Sequence, residues 1–218
     1  MGTHLKLAVL ISGRGSNLQA LIDATATAAF PAKIVRVISN EPDAGGLERA
    51  AAAGISTAVV PHRDYPDRDS FESSLSEEIR SSGSELVVLA GFMRLLTATF
   101  VEEWRDRLIN IHPSLLPAFK GLHTHERALK AGVRYTGCTV HYVRPEMDEG
   151  PIIVQAAVPV LPGDDADTLA ARVLEQEHVI YPLAVRLIAE NQVRVDAERA
   201  LIDDAGLGAP GATINPAP

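Results

Sequence analysis

Short apolar runs alternate with longer segments whose apolar positions recur every three to four residues. Runs of strand length lie at 7–11, 34–38, 57–60 and 86–90, and helix-like segments lie between them at 16–27, 44–53 and 69–82. Strand, helix, strand, helix predicts a parallel sheet with helical crossovers. The runs are apolar almost throughout, as strands are when both faces of the sheet are covered. In the first helix, Leu18, Leu21, Ile22 and Thr25 share one face. Ser16 followed by Gln19 reads as a capping box at its start. Gly13 and Gly15 permit a tight turn out of the first strand.

The second half is less regular. A strand is expected at 108–111, a proline-bearing loop at 112–121 and a short helix at 124–131. Two β-rich runs, 136–143 and 151–160, are expected to pair across a turn at 144–150 and extend the sheet in antiparallel fashion. A long helix follows at 167–190, with Pro182 as a kink. From residue 205 the chain is rich in Gly, Ala and Pro and reads as a tail. With no internal repeat and no linker, residues 1–204 read as one α/β domain and 205–218 as the tail. The expected architecture is Rossmann-like: a mostly parallel central sheet with helices on both faces and an antiparallel extension.

At 218 residues the chain can bury a single sizeable core. A net charge of −8 argues against a nucleic-acid partner, which would want a basic face. The single cysteine, Cys138, rules out a disulfide framework within the chain and suits a reducing, cytoplasmic setting. No apolar stretch approaches the ~20 residues that span a bilayer. Residues 5–11 lead into a glycine turn rather than a cleavage site, so neither a signal peptide nor a membrane span is expected.

Three segments carry candidate chemistry. Ser12-Gly13-Arg14-Gly15-Ser16-Asn17 forms a glycine turn between a strand and a helix. Amides at a helix start, aided by the helix dipole, can cradle a phosphate. A dinucleotide fingerprint would need a third glycine where Leu18 stands and an acid ending the second strand, where Asn40-Glu41-Pro42 reads as loop. A bare structural turn remains the alternative. In Asn110-Ile111-His112-Pro113, period-two alternation places Asn110 and His112 on one face at the end of a strand. Acyl transfer needs a donor for a developing oxyanion and a proton shuttle, and an amide and an imidazole supply both. Alternatively, both side chains satisfy loop backbone. Ser114 lacks a nucleophile-elbow context. Asp148, in the turn before Gly150-Pro151, could face His112 and hold its charged form, or serve the turn alone. His123, His125 and His141 lack a carboxylate or cysteine at ligand spacing, so no metal is expected; His123 and His125 read as helix caps or pocket lining.

Together these segments resemble the folate-dependent formyltransferases, and among them the glycinamide ribonucleotide transformylases. The resemblance runs from about Leu5 to about Asn191 and rests on the segments 11–20, 89–96, 110–117, 121–125 and 176–182 in order. It implies 10-formyltetrahydrofolate as cosubstrate and a phosphorylated ribosyl amine as acceptor. It implies Asn110, His112 and Asp148 as the catalytic trio. Gly15, Ser16 and Asn17 would cradle the substrate phosphate, and Glu177 would hold the ribose hydroxyls. Met93, Arg94, Leu95, Leu96, Asn110, Val143 and Met147 would line the folate slot, with Arg68 at its edge. Arg14 and Lys120 stand at variable positions of the pattern. Related enzymes occur as monomers and homodimers, and the residues do not choose between them.

Other readings make different demands. A methionyl-tRNA formyltransferase shares the Asn110–Pro117 pattern but carries a further RNA-binding domain, whereas here the acidic chain ends soon after Glu190. A formyltetrahydrofolate hydrolase would carry an added N-terminal regulatory domain. A nicotinamide-dependent oxidoreductase would need the missing third glycine. A non-catalytic binding module would not need Asn110, His112 and Asp148 together.

Overall fold

A computed structural model describes residues 4–202. The 205–218 tail expected from the sequence lies outside the described residues. In chain order the elements are β1 (Leu5–Ile11), α1 (Ser16–Thr25), β2 (Ala32–Ser39), α2 (Gly45–Ala52), β3 (Thr57–Val59), a single 3-10 turn (His62–Asp64), α3 (Arg68–Ser81), β4 (Leu86–Leu89), α4 (Ala98–Glu103), β5 (Leu108–His112), α5 (Thr124–Ala131), β6 (Tyr135–Tyr142), β7 (Ile152–Pro159), α6 (Ala166–Ala189), β8 (Val193–Asp196) and β9 (Arg199–Ile202). Seven strands form one sheet in the order β3-β2-β1-β4-β5-β6-β7. The first five run parallel, and β6 and β7 are antiparallel, as the β-rich runs predict.

The alternation of β1 divides the core into two layers. Leu7, Val9 and Ile11 pack on one face with α1 and α6, through Leu18, Leu21, Val173 and Tyr181. Ala8 and Leu10 pack on the other face with α3 and α4, through Phe71, Leu75, Ile79 and Phe100. All five β1 side chains are fully buried, which is why the run lacks polar alternation. Burying each large one contributes roughly 1.5–3 kcal/mol. The helix α6 runs 24 residues through Pro182 without a break. Beside Pro182 the buried Tyr181 hydroxyl donates to the Leu89 carbonyl at 2.8 Å and pins α6 to the end of β4.

Two expectations are corrected. Ser16 is not the N-cap of α1: Gly15 is, in the left-handed region at φ 74°, with no side-chain cap bond. Close approach decides this, since a Cβ on Gly15 would sit 2.7 Å from the Cα of Gly46. The helix also ends at Thr25 rather than residue 27. The hydroxyl of Thr25 donates to the carbonyls of Leu21 and Ile22, and that of Thr27 to Ala24. In addition, a C-terminal hairpin, β8–β9, follows α6 where no strand is expected.

After β1 the chain builds outward to β2 and β3, then returns to place β4 on the other side of β1. This reversal opens a crevice beyond the carboxyl ends of β1 and β4, the usual ligand position in open α/β sheets.

Candidate active site

The turn after β1 forms one wall of the crevice. Gly15 adopts its left-handed conformation and α1 begins without a capping side-chain bond, so no capping side chain occupies the first-turn amides. The amide of Gly46 donates to the Gly13 carbonyl at 3.0 Å, bracing the turn against α2. Asn17 is buried, and its Nδ2 donates to Glu177 Oε2 at 2.7 Å, while its Oδ1 has no partner within the protein. Glu177 on α6 is itself buried. Burial pushes its carboxyl up from the usual range, against a smaller opposing effect of the Asn17 bond. Gly15, Ser16, Asn17 and Glu177 therefore lie together. The Arg14 carbonyl accepts from Arg49 Nε at 2.9 Å.

The end of β5 forms the centre. The buried His112 ring has Nδ1 3.4 Å from Asp148 Oδ1 and Nε2 3.0 Å from the Phe119 carbonyl. Acceptors flank both ring nitrogens, an arrangement that only a doubly protonated imidazole satisfies at both ends. Asp148 is held in turn, as its Oδ2 accepts from the Gly121 amide at 2.6 Å. Asp148 sits at φ 53°, a conformation that Asp tolerates better than most residues.

Asn110 pairs across the sheet with His141. His141 is buried and its pKa is pushed down by that burial, so the ring is neutral near pH 7. Its Nδ1 lies 2.9 Å from the Tyr142 carbonyl, and its Nε2 lies 3.5 Å from Asn110 Nδ2. The contact orients the Asn110 amide with nitrogen toward His141, and its second N–H is free to serve a ligand.

The segment 91–96, after β4, lies between the turn after β1 and the end of β5. Ser12 ties it to the turn after β1: its Oγ accepts from the Met93 amide at 2.7 Å and donates to Asn40 Oδ1 at 2.5 Å. Met93, at 73% exposure, and Leu95, at 65%, stand at the rim without burial partners, as does Met147 on the facing loop. Solvated apolar side chains around a crevice suit a flat, partly apolar ligand. Arg94 is exposed, and Leu96 and Val143 pack on the second core layer. Arg68, at the start of α3, is exposed; its charge is felt by Glu72 below α4. Among the described residues, no hydrogen bond or ion pair joins Arg68 to His112, Asp148 or Asn110.

Several participants are not singled out by the sequence pattern. His141 enters there only as a metal candidate, yet it orients Asn110. Gly46 braces the turn. Arg144 anchors the loop that carries Asp148. The Phe119 carbonyl lies on a loop with no regular element to announce it. Ser114 is structural: its Oγ donates to the Ala118 carbonyl at 2.6 Å and shapes that loop. His123 occupies the N-cap position of α5 without a capping side-chain bond and pairs with Glu126 at 2.9 Å. His125 lies close enough to His112 for the two rings to repel, and burial is the larger cause that lowers its pKa. Among the described residues no group of three or more His, Cys, Asp or Glu side chains is placed to hold a metal ion.

Fold and site define a class: an α/β protein with a mostly parallel sheet and an Asn-His-Asp cluster at the carboxyl ends of its strands. The sequence model of the formyl transferase family matches residues 5–185, and the chain belongs to that family. It is 46% identical over 199 residues to the phosphoribosylglycinamide formyltransferase of Escherichia coli K12, covering 91% of this chain and 94% of that one. It is 54% identical over 191 residues to the trifunctional purine biosynthetic protein adenosine-3 of Drosophila pseudoobscura pseudoobscura. That match covers 87% of this chain, which spans only 14% of the length of the trifunctional relative. The crystal structure of glycinamide ribonucleotide transformylase 1 from Symbiobacterium toebii superposes with a TM-score of 0.90 at 46% identity, covering 94% of this chain and 96% of that one.

Proposed function

We propose that this chain transfers the formyl group of 10-formyltetrahydrofolate to the amine of glycinamide ribonucleotide, a step of purine biosynthesis. The observation that carries the reading is the meeting of Asn110, His112 and Asp148 beside the glycine turn after β1 at one mouth of the sheet. Gly15, Ser16 and Asn17 bind the substrate phosphate, and Glu177 accepts from its ribose hydroxyls. Segment 93–96 and the loop holding Val143 and Met147 grip the pterin, and Arg68 meets the far end of the folate.

The amine attacks the formyl carbon directly, forming a C–N bond and a tetrahedral centre with a negative oxygen. The free N–H of Asn110 donates to that oxygen, and the positive charge of protonated His112, whose ring N–H groups face Asp148 and the Phe119 carbonyl, stabilises it. Breaking the bond between the carbon and the folate nitrogen restores the carbonyl, and the proton lost by the amine passes to the departing nitrogen. Asp148 keeps His112 charged and organises that transfer. No covalent enzyme intermediate is needed. Residues 1–204 form the catalytic domain in this reading, which also carries a cytoplasmic setting and admits a homodimer. The sole thiol, Cys138, is buried with its pKa pushed up to about 12, so it is inert to disulfide exchange.

The test is to supply purified protein with 10-formyltetrahydrofolate and glycinamide ribonucleotide and follow release of tetrahydrofolate. Transfer without ATP is expected. Formylation that runs instead from formate and ATP would overturn the donor assignment, and tight NADH binding with no transfer would favour an oxidoreductase.

Glu177 supplies a separate prediction. Its folded pKa is raised by burial, so the native state holds a proton that the unfolded chain releases. Below the unfolded pKa both states are protonated and Glu177 carries no cost. As pH rises through the window up to the folded pKa, the cost grows, and it is complete above it. Glu177→Gln should therefore raise the denaturation midpoint at pH 7–8, with the gain vanishing near pH 4. The same substitution removes a charge-assisted acceptor, worth ~10–100-fold in the KM of the ribonucleotide. An unchanged KM would remove Glu177 from the ribose site.

A further inference from the structure

The loop that carries Asp148 is anchored far from the reacting centre. Arg144 opens it, directly after β6, and Gly150 closes it. Arg144 is buried, at 6% exposure. Its Nη2 donates to Asp106 Oδ1 at 2.7 Å, its Nη1 to the Val143 carbonyl at 3.1 Å and its Nε to Glu198 Oε2 at 2.5 Å. Gly150, at φ 123°, presses on the same side chain: a Cβ there would lie 3.0 Å from Arg144 Cγ and 2.1 Å from the Tyr142 carbonyl oxygen. Both ends of the loop thus close on the Arg144 stem.

Glu198 comes from the C-terminal hairpin, some fifty residues on. Ala197 and Glu198 form its two-residue tip, both left-handed, at φ 47° and 61°. Such tips favour Asn and Gly, because a side chain with a Cβ is strained there. Strain held in place by surrounding contacts points to a role for the residue. Here the contacts are two arginines: Glu198 also accepts from Arg105 Nη2 at 2.5 Å, and Arg105 is braced by Glu102 at 2.8 Å. The hairpin is a firm base, since Val193, Val195 and Ala200 pack against the main core.

We infer that Glu198 is a positioning residue, which through Arg144 fixes the loop of residues 144–150 so that Asp148 reaches His112 and the pterin wall is formed. The inference rests on the folate reading of that loop. It makes the hairpin part of the transfer apparatus, although none of its residues touches the reacting groups.

The experiment compares wild type with Glu198→Gly, Glu198→Ala and Glu198→Gln in the full chain, measuring kcat, KM for each substrate and Tm. Glu198→Gly removes the carboxylate and relieves the left-handed strain together, so it separates folding from positioning. A roughly tenfold fall in kcat/KM for the formyl folate is expected, in line with the cost of small displacements around a reacting centre. KM for the ribonucleotide should stay within about twofold, because Gly15 to Asn17 are held by other contacts. Glu198→Gln, which keeps an acceptor oxygen, should recover part of the loss. Unchanged kcat/KM for the formyl folate in Glu198→Gly, whatever its Tm, would overturn the inference. If wild type itself bound no reduced folate, the reading of the pocket would fail instead, and the two results are distinguishable.

Discussion

Asn110→Ala should lower turnover by about 10²–10³-fold, the usual consequence of removing one oxyanion donor. The loss should fall on kcat, with both KM values nearly unchanged, because the donated bond strengthens only as the carbonyl oxygen becomes negative. One N–H of the amide is committed to His141, whose Nε2 lies 3.5 Å away; the other is left for the substrate. Truncation therefore leaves His141 without its donor, at a stability cost of about 1 kcal/mol or slightly more. Single-turnover kinetics beside a denaturation curve would check both figures. Turnover within about threefold of wild type would remove Asn110 from the transition state, whatever happened to stability.

How much of this was legible beforehand differs from element to element. The parallel core could be read because residues 7–11 of β1 and all of β4 are buried on both faces and are apolar throughout. The antiparallel extension could be read because β-rich runs flank a turn ending in Gly150-Pro151. Asn110 and His112 could be paired on one face because strand periodicity leaves no other arrangement. Asp148 could be named but not placed: nothing local shows that the Gly121 amide, 27 residues away, orients its carboxylate. The hairpin was missed because its tip is Ala197-Glu198, with no Asn-Gly signal, and is held by Arg105 and Arg144 instead. The Ser16-Gln19 pattern misled for a related reason. Local capping preference gave way to the contact between Gly15 and Gly46, a tertiary demand that no window of the α1 sequence contains. His141 was visible only as a lone histidine. Its burial, its neutral state and its place opposite Asn110 come from the pairing of β5 with β6.

Asp148 offers the sharper dissection of the centre, because charge and backbone can be varied separately. Asp148→Asn keeps an oxygen for the Gly121 amide, and Asn, like Asp, tolerates the left-handed φ of 53°. What it removes is the negative charge 3.4 Å from His112 Nδ1. With a neutral neighbour, the doubly protonated ring loses its counter-charge, and both oxyanion stabilisation and proton delivery to the leaving nitrogen suffer. Turnover should fall by about 10²-fold or more, the scale of a lost acid–base partner, with Tm close to wild type. Asp148→Ala should lose at least as much turnover and also about 1–2 kcal/mol of stability, since alanine has no polar side chain to compensate the left-handed conformation. If Asp148→Asn kept most of its turnover, the carboxylate would be a turn residue holding Gly121, and the proton path would have to run elsewhere.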